Sequence, residues 1–130
     1  MMLLVRIAAF FCLLLASGCT SSPAGQTVGG DAQFYVSNQS FAHPTAHIKV
    51  WVDGVLVFDR AAPVEDEHNW MPFNMSLTNG MHEVKAYESD TGTDFGQSFA
   101  KQGPVWVVVD FWTSPNRFTM TASDEPLLFA

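Results

Sequence analysis

Cysteine is almost missing from this chain. There are two in 130 residues, and both, Cys12 and Cys19, stand near the N-terminus. Everything after Cys19 lacks the thiols for a disulfide, a cysteine nucleophile or a cysteine-ligated zinc. Basic residues are also scarce, with Lys+Arg 6 against Asp+Glu 13 and a net charge of -7. So acidic a chain lacks the basic face that nucleic-acid binding requires. A length of 130 residues excludes a TIM barrel or a doubly wound dinucleotide enzyme with its substrate domain. With 48% hydrophobic and 15% charged residues, the composition excludes an intrinsically disordered chain. There is no G-x-S-x-G elbow, no phosphate-cradling loop and no G-x-G-x-x-G string. The expectation is therefore a non-enzymatic protein with no cofactor.

The first segment is present for transport rather than folding. Arg6 is followed by the uncharged apolar run Ile7 to Ala16, too short to cross a hydrocarbon core of about 30 Å as a helix. It ends in the small residues Ala16, Ser17 and Gly18, directly before Cys19. A cation, a short apolar run and a small-residue end make a secretory signal. The string Leu15-Ala16-Ser17-Gly18-Cys19 resembles the lipobox of bacterial lipoproteins. That resemblance implies a diacylglycerol on the Cys19 thiol, removal of residues 1–18 and acylation of the new amino group. It also implies a membrane partner through lipid, in a bacterial envelope. Thr20 stands where an aspartate would retain an enteric-type lipoprotein at the inner membrane, so the resemblance extends to the outer-membrane-sorted class. Residues 19–30 hold Pro23, Gly25, Gly29 and Gly30 and no charge, and read as a flexible tether on the order of 20 Å long. The Asn-x-Ser strings at Asn38 and Asn74 resemble glycosylation acceptors, without relevance in a bacterial lipoprotein.

From residue 31 to 130 the hydrophobic pattern has a period of two. Ile48, Val50 and Val52 alternate with His47, Lys49 and Trp51, and Asp53-Gly54 separates this run from Val55 to Asp59. An Asp-Gly pair between β-branched runs predicts a hairpin with a type I′ turn, which needs positive φ twice. Asn79-Gly80, between Phe73–Leu77 and Met81–Glu88, predicts a second. Ser89 to Gly92 form a polar turn, and Phe95 to Ala100 read as a weak strand. Val105 to Trp112 is apolar on both faces, the pattern of a central strand covered on both sides. Only Ala61 to Trp70 offers room for a helical turn. Strands at this spacing predict an all-β antiparallel β-sandwich of about seven or eight strands. Its architecture resembles immunoglobulin-like or transthyretin-like modules; a small closed β-barrel is the alternative.

Candidate binding residues are sought among the aromatic groups, because an exposed ring can stack on a sugar or a peptide side chain. Trp51 shares a strand face with Lys49 and His47, and Trp70 follows the polar stretch Glu65 to Asn69. The expectation is that Trp51, Lys49, His47 and Trp70 line one ligand groove for an envelope protein or a glycan. Trp106 and Trp112 are read as core-filling residues. No metal site is expected. His43 and His47 are separated by Pro44 rather than carried on a helix, and His82-Glu83 has Ala86 where a zinc-protease motif needs a second histidine. Asp90-Thr91-Gly92-Thr93-Asp94 offers a calcium ion only two carboxylates of the six to eight oxygens it takes. Docking into an envelope assembly by strand addition is the alternative function.

Overall fold

The computed structural model describes residues 30–64 and 69–128. The expected leader, Cys19, the expected tether before Gly30, and Glu65 to His68 lie outside the described residues. Eight strands follow one another: β1 (Ala32–Asn38), β2 (Thr45–Val52), β3 (Val55–Pro63), β4 (Met71–Met75), β5 (Gly80–Glu88), β6 (Thr93–Lys101), β7 (Val105–Trp112) and β8 (Arg117–Ser123). They form two four-stranded sheets, β4-β1-β7-β8 and β3-β2-β5-β6. The protein is an all-β sandwich, and the sheets do not close into a barrel. In the immunoglobulin arrangement the first two strands share a sheet; here β1 and β2 lie in opposite sheets. All pairs are antiparallel except β1 with β7, which run parallel from Ala32 beside Val105 to Asn38 beside Phe111.

The Asp53-Gly54 hairpin forms as its chemistry requires, with φ of 50° and 79° at the two residues. Just before it the ladder slips. Val50 pairs with Phe58 but Trp51 pairs with Leu56, so Val57 is the extra residue of a bulge that increases the local twist. The Asn79-Gly80 pair does not make a hairpin. β4 pairs with β1 in the first sheet and β5 with β2 and β6 in the second, so residues 76–79 carry the chain between sheets. The Asn79 carboxamide oxygen accepts hydrogen bonds from Lys101 Nζ at 3.3 Å and Gly103 N at 3.0 Å. A local dipeptide favours a turn but says nothing about the sheet to which the flanking strands belong. The hairpin partner of β5 is β6, reached through residues 89–92. β6 runs nine residues rather than six. The helical turn expected within Ala61 to Trp70 is not seen among the described residues, because β3 continues through Pro63 beside Thr45.

The core lies between the sheets. Phe34 stacks on Phe73 with centroids 5.0 Å apart and planes 9° from parallel, and Phe99 meets Phe34 edge-on. Toward the other end Phe111 packs against Phe118 at 5.2 Å, and Phe95 joins them. Ile48, Val50, Val52, Val84 and Ala86 line the facing sheet. With no disulfide expected, burial of this apolar surface, worth roughly 25 cal/mol per Å2, carries the stability of the sandwich.

Three charged groups are buried at the ends of the sandwich, where alternation puts them inside. Lys101 is 1% exposed and pairs with Asp31 at 2.6 Å; that contact holds the Asp31 carboxyl below its ordinary range. Glu88 is fully buried, and its carboxylate accepts from the main-chain nitrogens of His47, Asp90 and Thr91 and from the Thr91 hydroxyl. Burial pushes Glu88 up, but these hydrogen bonds outweigh it and the group titrates below the ordinary carboxylate value. His82 contacts Asp53 Oδ2 through Nδ1 at 2.6 Å and the Thr78 carbonyl through Nε2 at 2.7 Å. Both partners are acceptors, so this pair of contacts favours the imidazolium, in which both ring nitrogens donate. The Asp53 bond raises His82 above its ordinary value against the opposing effect of burial.

Candidate ligand-binding face

The inward phase of β2 is Ala46, Ile48, Val50 and Val52, all buried. His47, Lys49 and Trp51 therefore emerge together on the outer face of the second sheet, as the alternation predicts. Two of the three are tied to the neighbouring strand. Asp59 of β3 contacts His47 Nε2 at 2.8 Å and Lys49 Nζ at 3.9 Å. Trp51 lies next to Lys85 in the β2–β5 register, and Lys85 lies next to Gly96 across to β6. Lys49 is opposite Tyr87, and Tyr87 opposite Asp94.

This register creates a groove of about 620 Å3 lined by Trp51, Gly54, Lys85, Tyr87, Asp94 and Gly96. Gly96 keeps it open: a Cβ there would meet nothing within 4 Å, so a larger side chain would fill the depression without displacing the backbone. Trp51 and Tyr87 supply two aromatic walls. Lys85 and Asp94 place a donor and an acceptor at the rim, and Lys85 is held by Glu83 at 3.3 Å. Both ends of that pair are more than half exposed, so the pair itself adds little stability and its atoms remain open to a ligand. Apolar walls with a few placed polar groups are the general form of a small-ligand site.

Trp70 is not part of this groove. Its indole N–H donates to Asp110 Oδ1 at 3.1 Å, and Asp110 belongs to the outer phase of β7 in the other sheet. The four expected residues are thus divided between opposite outer faces. Sequence could not place Trp70, which precedes β4 and is positioned by a strand forty residues later. Ser37 also donates to Asp110, at 2.6 Å. Burial pushes the Asp110 carboxyl up, and the Ser37 and Trp70 bonds offset only part of that.

Trp106 and Trp112 do not fill the core. Val105, Val107, Val109 and Phe111 take the inward phase of β7, leaving both tryptophans half-buried outside. Their indole nitrogens donate to Gln33 at 2.8 Å and Thr119 at 3.1 Å. A strand that is apolar on both faces can be read in either phase; only Asp110 marks the outer one. The expected cover on that side is partial: Val108 is buried, whereas Trp106, Asp110 and Trp112 are half-buried.

Of the groove residues, sequence reasoning missed Gly54, Lys85, Tyr87, Asp94 and Gly96. The signal for three of them was available, since Lys85 and Tyr87 share the outer phase of β5 and the 89–92 turn returns Asp94 beside Tyr87. Comparison of the chain with protein-family models, with curated proteins and with solved structures finds no match.

Proposed function

We propose that this chain is a lipid-anchored bacterial envelope lipoprotein whose β-sandwich binds a ligand without catalysing a reaction, and that the ligand is a glycan. The lipobox-like string ending at Cys19 supports the anchor. The groove between Trp51 and Tyr87 carries the binding reading, because two aromatic walls flanked by Lys85 and Asp94 suit the apolar face and hydroxyl rim of a sugar ring. The anchor and tether would hold that groove at a membrane, the outer one on the reading of Thr20, within reach of the wall polymer. A second reading, an accessory subunit docked by strand addition, draws on edge strand β3, where Val55 and Leu56 are each 47% exposed. Asp59, Arg60 and Pro63 blunt the rest of that edge.

Co-sedimentation of the detergent-solubilised chain with purified peptidoglycan tests the glycan reading. Trp51→Ala should weaken retention by about twofold to tenfold, the range of an aromatic contact worth about 0.5–1.5 kcal/mol. Gly96→Leu should do the same by filling the groove. Equal retention of the wild type and both variants would refute a stacking face, and retention lost instead on Leu56→Lys would favour the edge strand.

A further inference from the structure

Away from the groove, the segment before β2 and the β5–β6 turn bring together His43, Glu88 and Asp90, which no local motif links. His43 is fixed through its main chain: its N–H donates to Ser40 O at 3.1 Å, and its carbonyl accepts from Asn38 Nδ2 at 2.7 Å. Its ring meets Phe111 edge-on at 6.2 Å. Nε2 points away from these supports, 3.3 Å from Asp90 Oδ2 and 3.7 Å from Glu88 Oε1. The three donor atoms all lie within 4.8 Å of one another.

The nitrogen is shielded from solvent, yet it has no hydrogen-bond partner among the described residues. Asp90 Oδ2 is near enough for a hydrogen bond but not aligned for one, and Glu88 Oε1 lies beyond hydrogen-bond distance, so the nitrogen faces two carboxylates without bonding either. A tetrahedral ion with bonds of about 2.0–2.1 Å separates its ligands by about 3.3–3.4 Å, a separation the His43–Asp90 pair has and from which the His43–Glu88 pair, at 3.7 Å, departs by a few tenths of an ångström. The surrounding groups suit the same role. The Glu88 carboxylate is held in place by its four hydrogen bonds, as outer-shell donors orient a ligating carboxylate. Two carboxylates together carry the charge that a divalent cation cancels. A nitrogen donor with only two carboxylates disfavours calcium or magnesium and suits zinc or a related transition ion.

We infer that His43, Glu88 and Asp90 form a binding site for a divalent transition-metal ion of the zinc class, which pins the loop before β2 to the β5–β6 turn. Asp90 is 59% exposed, so water completes the coordination on that side. The site differs from the calcium loop considered for Asp90 to Asp94: Asp94 lines the ligand groove on the outer face, while Asp90 turns to His43. It is independent of the glycan reading.

The test uses the full chain in detergent, stripped with EDTA and titrated with zinc chloride by calorimetry and thermal melting. One zinc per chain is expected, with the melting midpoint rising by about 10 °C or more when zinc exceeds its Kd about hundredfold. His43→Ala and Asp90→Asn should each weaken binding beyond the 10–100-fold, roughly, that losing an outer-shell group costs, with the circular dichroism spectrum unchanged. His47→Ala, which removes the His47–Asp59 pair on the outer face, should bind as the wild type does. Magnesium and calcium chloride should produce smaller shifts. A wild type indifferent to zinc would overturn the site and leave a plain His43–carboxylate ion pair. Zinc binding undiminished by both His43→Ala and Asp90→Asn, or lost on His47→Ala, would overturn it equally.

Discussion

Replacing Glu88 should do more damage than its place at the end of a strand suggests. Its buried carboxylate takes four hydrogen bonds, three of them from main-chain nitrogens. Hydrogen bonds to a charged group are worth roughly 1.5–3 kcal/mol each. They do not sum here, because the Asp90 and Thr91 nitrogens lie in an exposed turn and water can replace the lost acceptor. The His47 nitrogen sits within β2 and is less readily resolvated. The net cost of Glu88→Ala should be about 3 kcal/mol, against a total of about 5–15 kcal/mol for a domain of this size. At about 4–8 °C per kcal/mol, the melting midpoint should fall by about 12–24 °C. Glu88→Gln keeps the shape and one acceptor oxygen but turns an amide toward donors, so it should fall between Ala and the wild type. The sign with pH follows from the lowered native value. Stability from this group is present above the ordinary carboxylate value of 4.5 and is lost as pH falls through the native value. Urea unfolding of residues 20–130 with EDTA present, at pH 7 and pH 3, should show a gap between wild type and Glu88→Gln that narrows in acid. A Glu88→Ala variant within about 0.5 kcal/mol of wild type at pH 7, or a gap that does not narrow, would refute the reasoning.

Two further predictions concern the other packed groups. His82 has a raised native value, so its stabilisation is complete below the ordinary 6.5 and is lost as pH rises through the native value. Melting from pH 6 to 9 should therefore show the wild type losing about 1–2 kcal/mol relative to His82→Gln; parallel curves would contradict the imidazolium assignment. Phe34, fully buried between Phe73 and Phe99, should cost about 3–5 kcal/mol when cut to alanine. Phe41→Ala, at a site 76% exposed, should stay within about 0.5 kcal/mol of wild type, and similar midpoints for the two variants would count against the packing described.

How much of this was legible depended on whether local chemistry or distant pairing decides each feature. The Asp53-Gly54 turn was legible because positive φ at two successive residues is a local steric demand. The outward aim of His47, Lys49 and Trp51 was legible because a buried opposite face fixes the phase of β2. Asn79-Gly80 misled because β4 finds its partner in β1, a choice made by Phe73 and Met75 packing in the other sheet. The phase of β7 was ambiguous because valines occupy both faces, and so Trp106 and Trp112 were expected inside. Trp70 could not be placed without knowing that β7 presents Asp110 to it. The burial of Glu88 and Lys101 followed from alternation, but only the tertiary arrangement brings the Thr91 turn and Asp31 to meet them.

The proposed function rests first on the lipid anchor, and the covalent state of Cys19 tests it most directly. Intact-mass spectrometry of protein extracted from membranes should give a chain beginning at Cys19, with a diacylglycerol on sulfur and an acyl group on the new amino terminus. Cys19→Ser should retain the leader or appear in the soluble fraction. A native chain beginning elsewhere, or one with an unmodified sulfur at Cys19, would contradict the account.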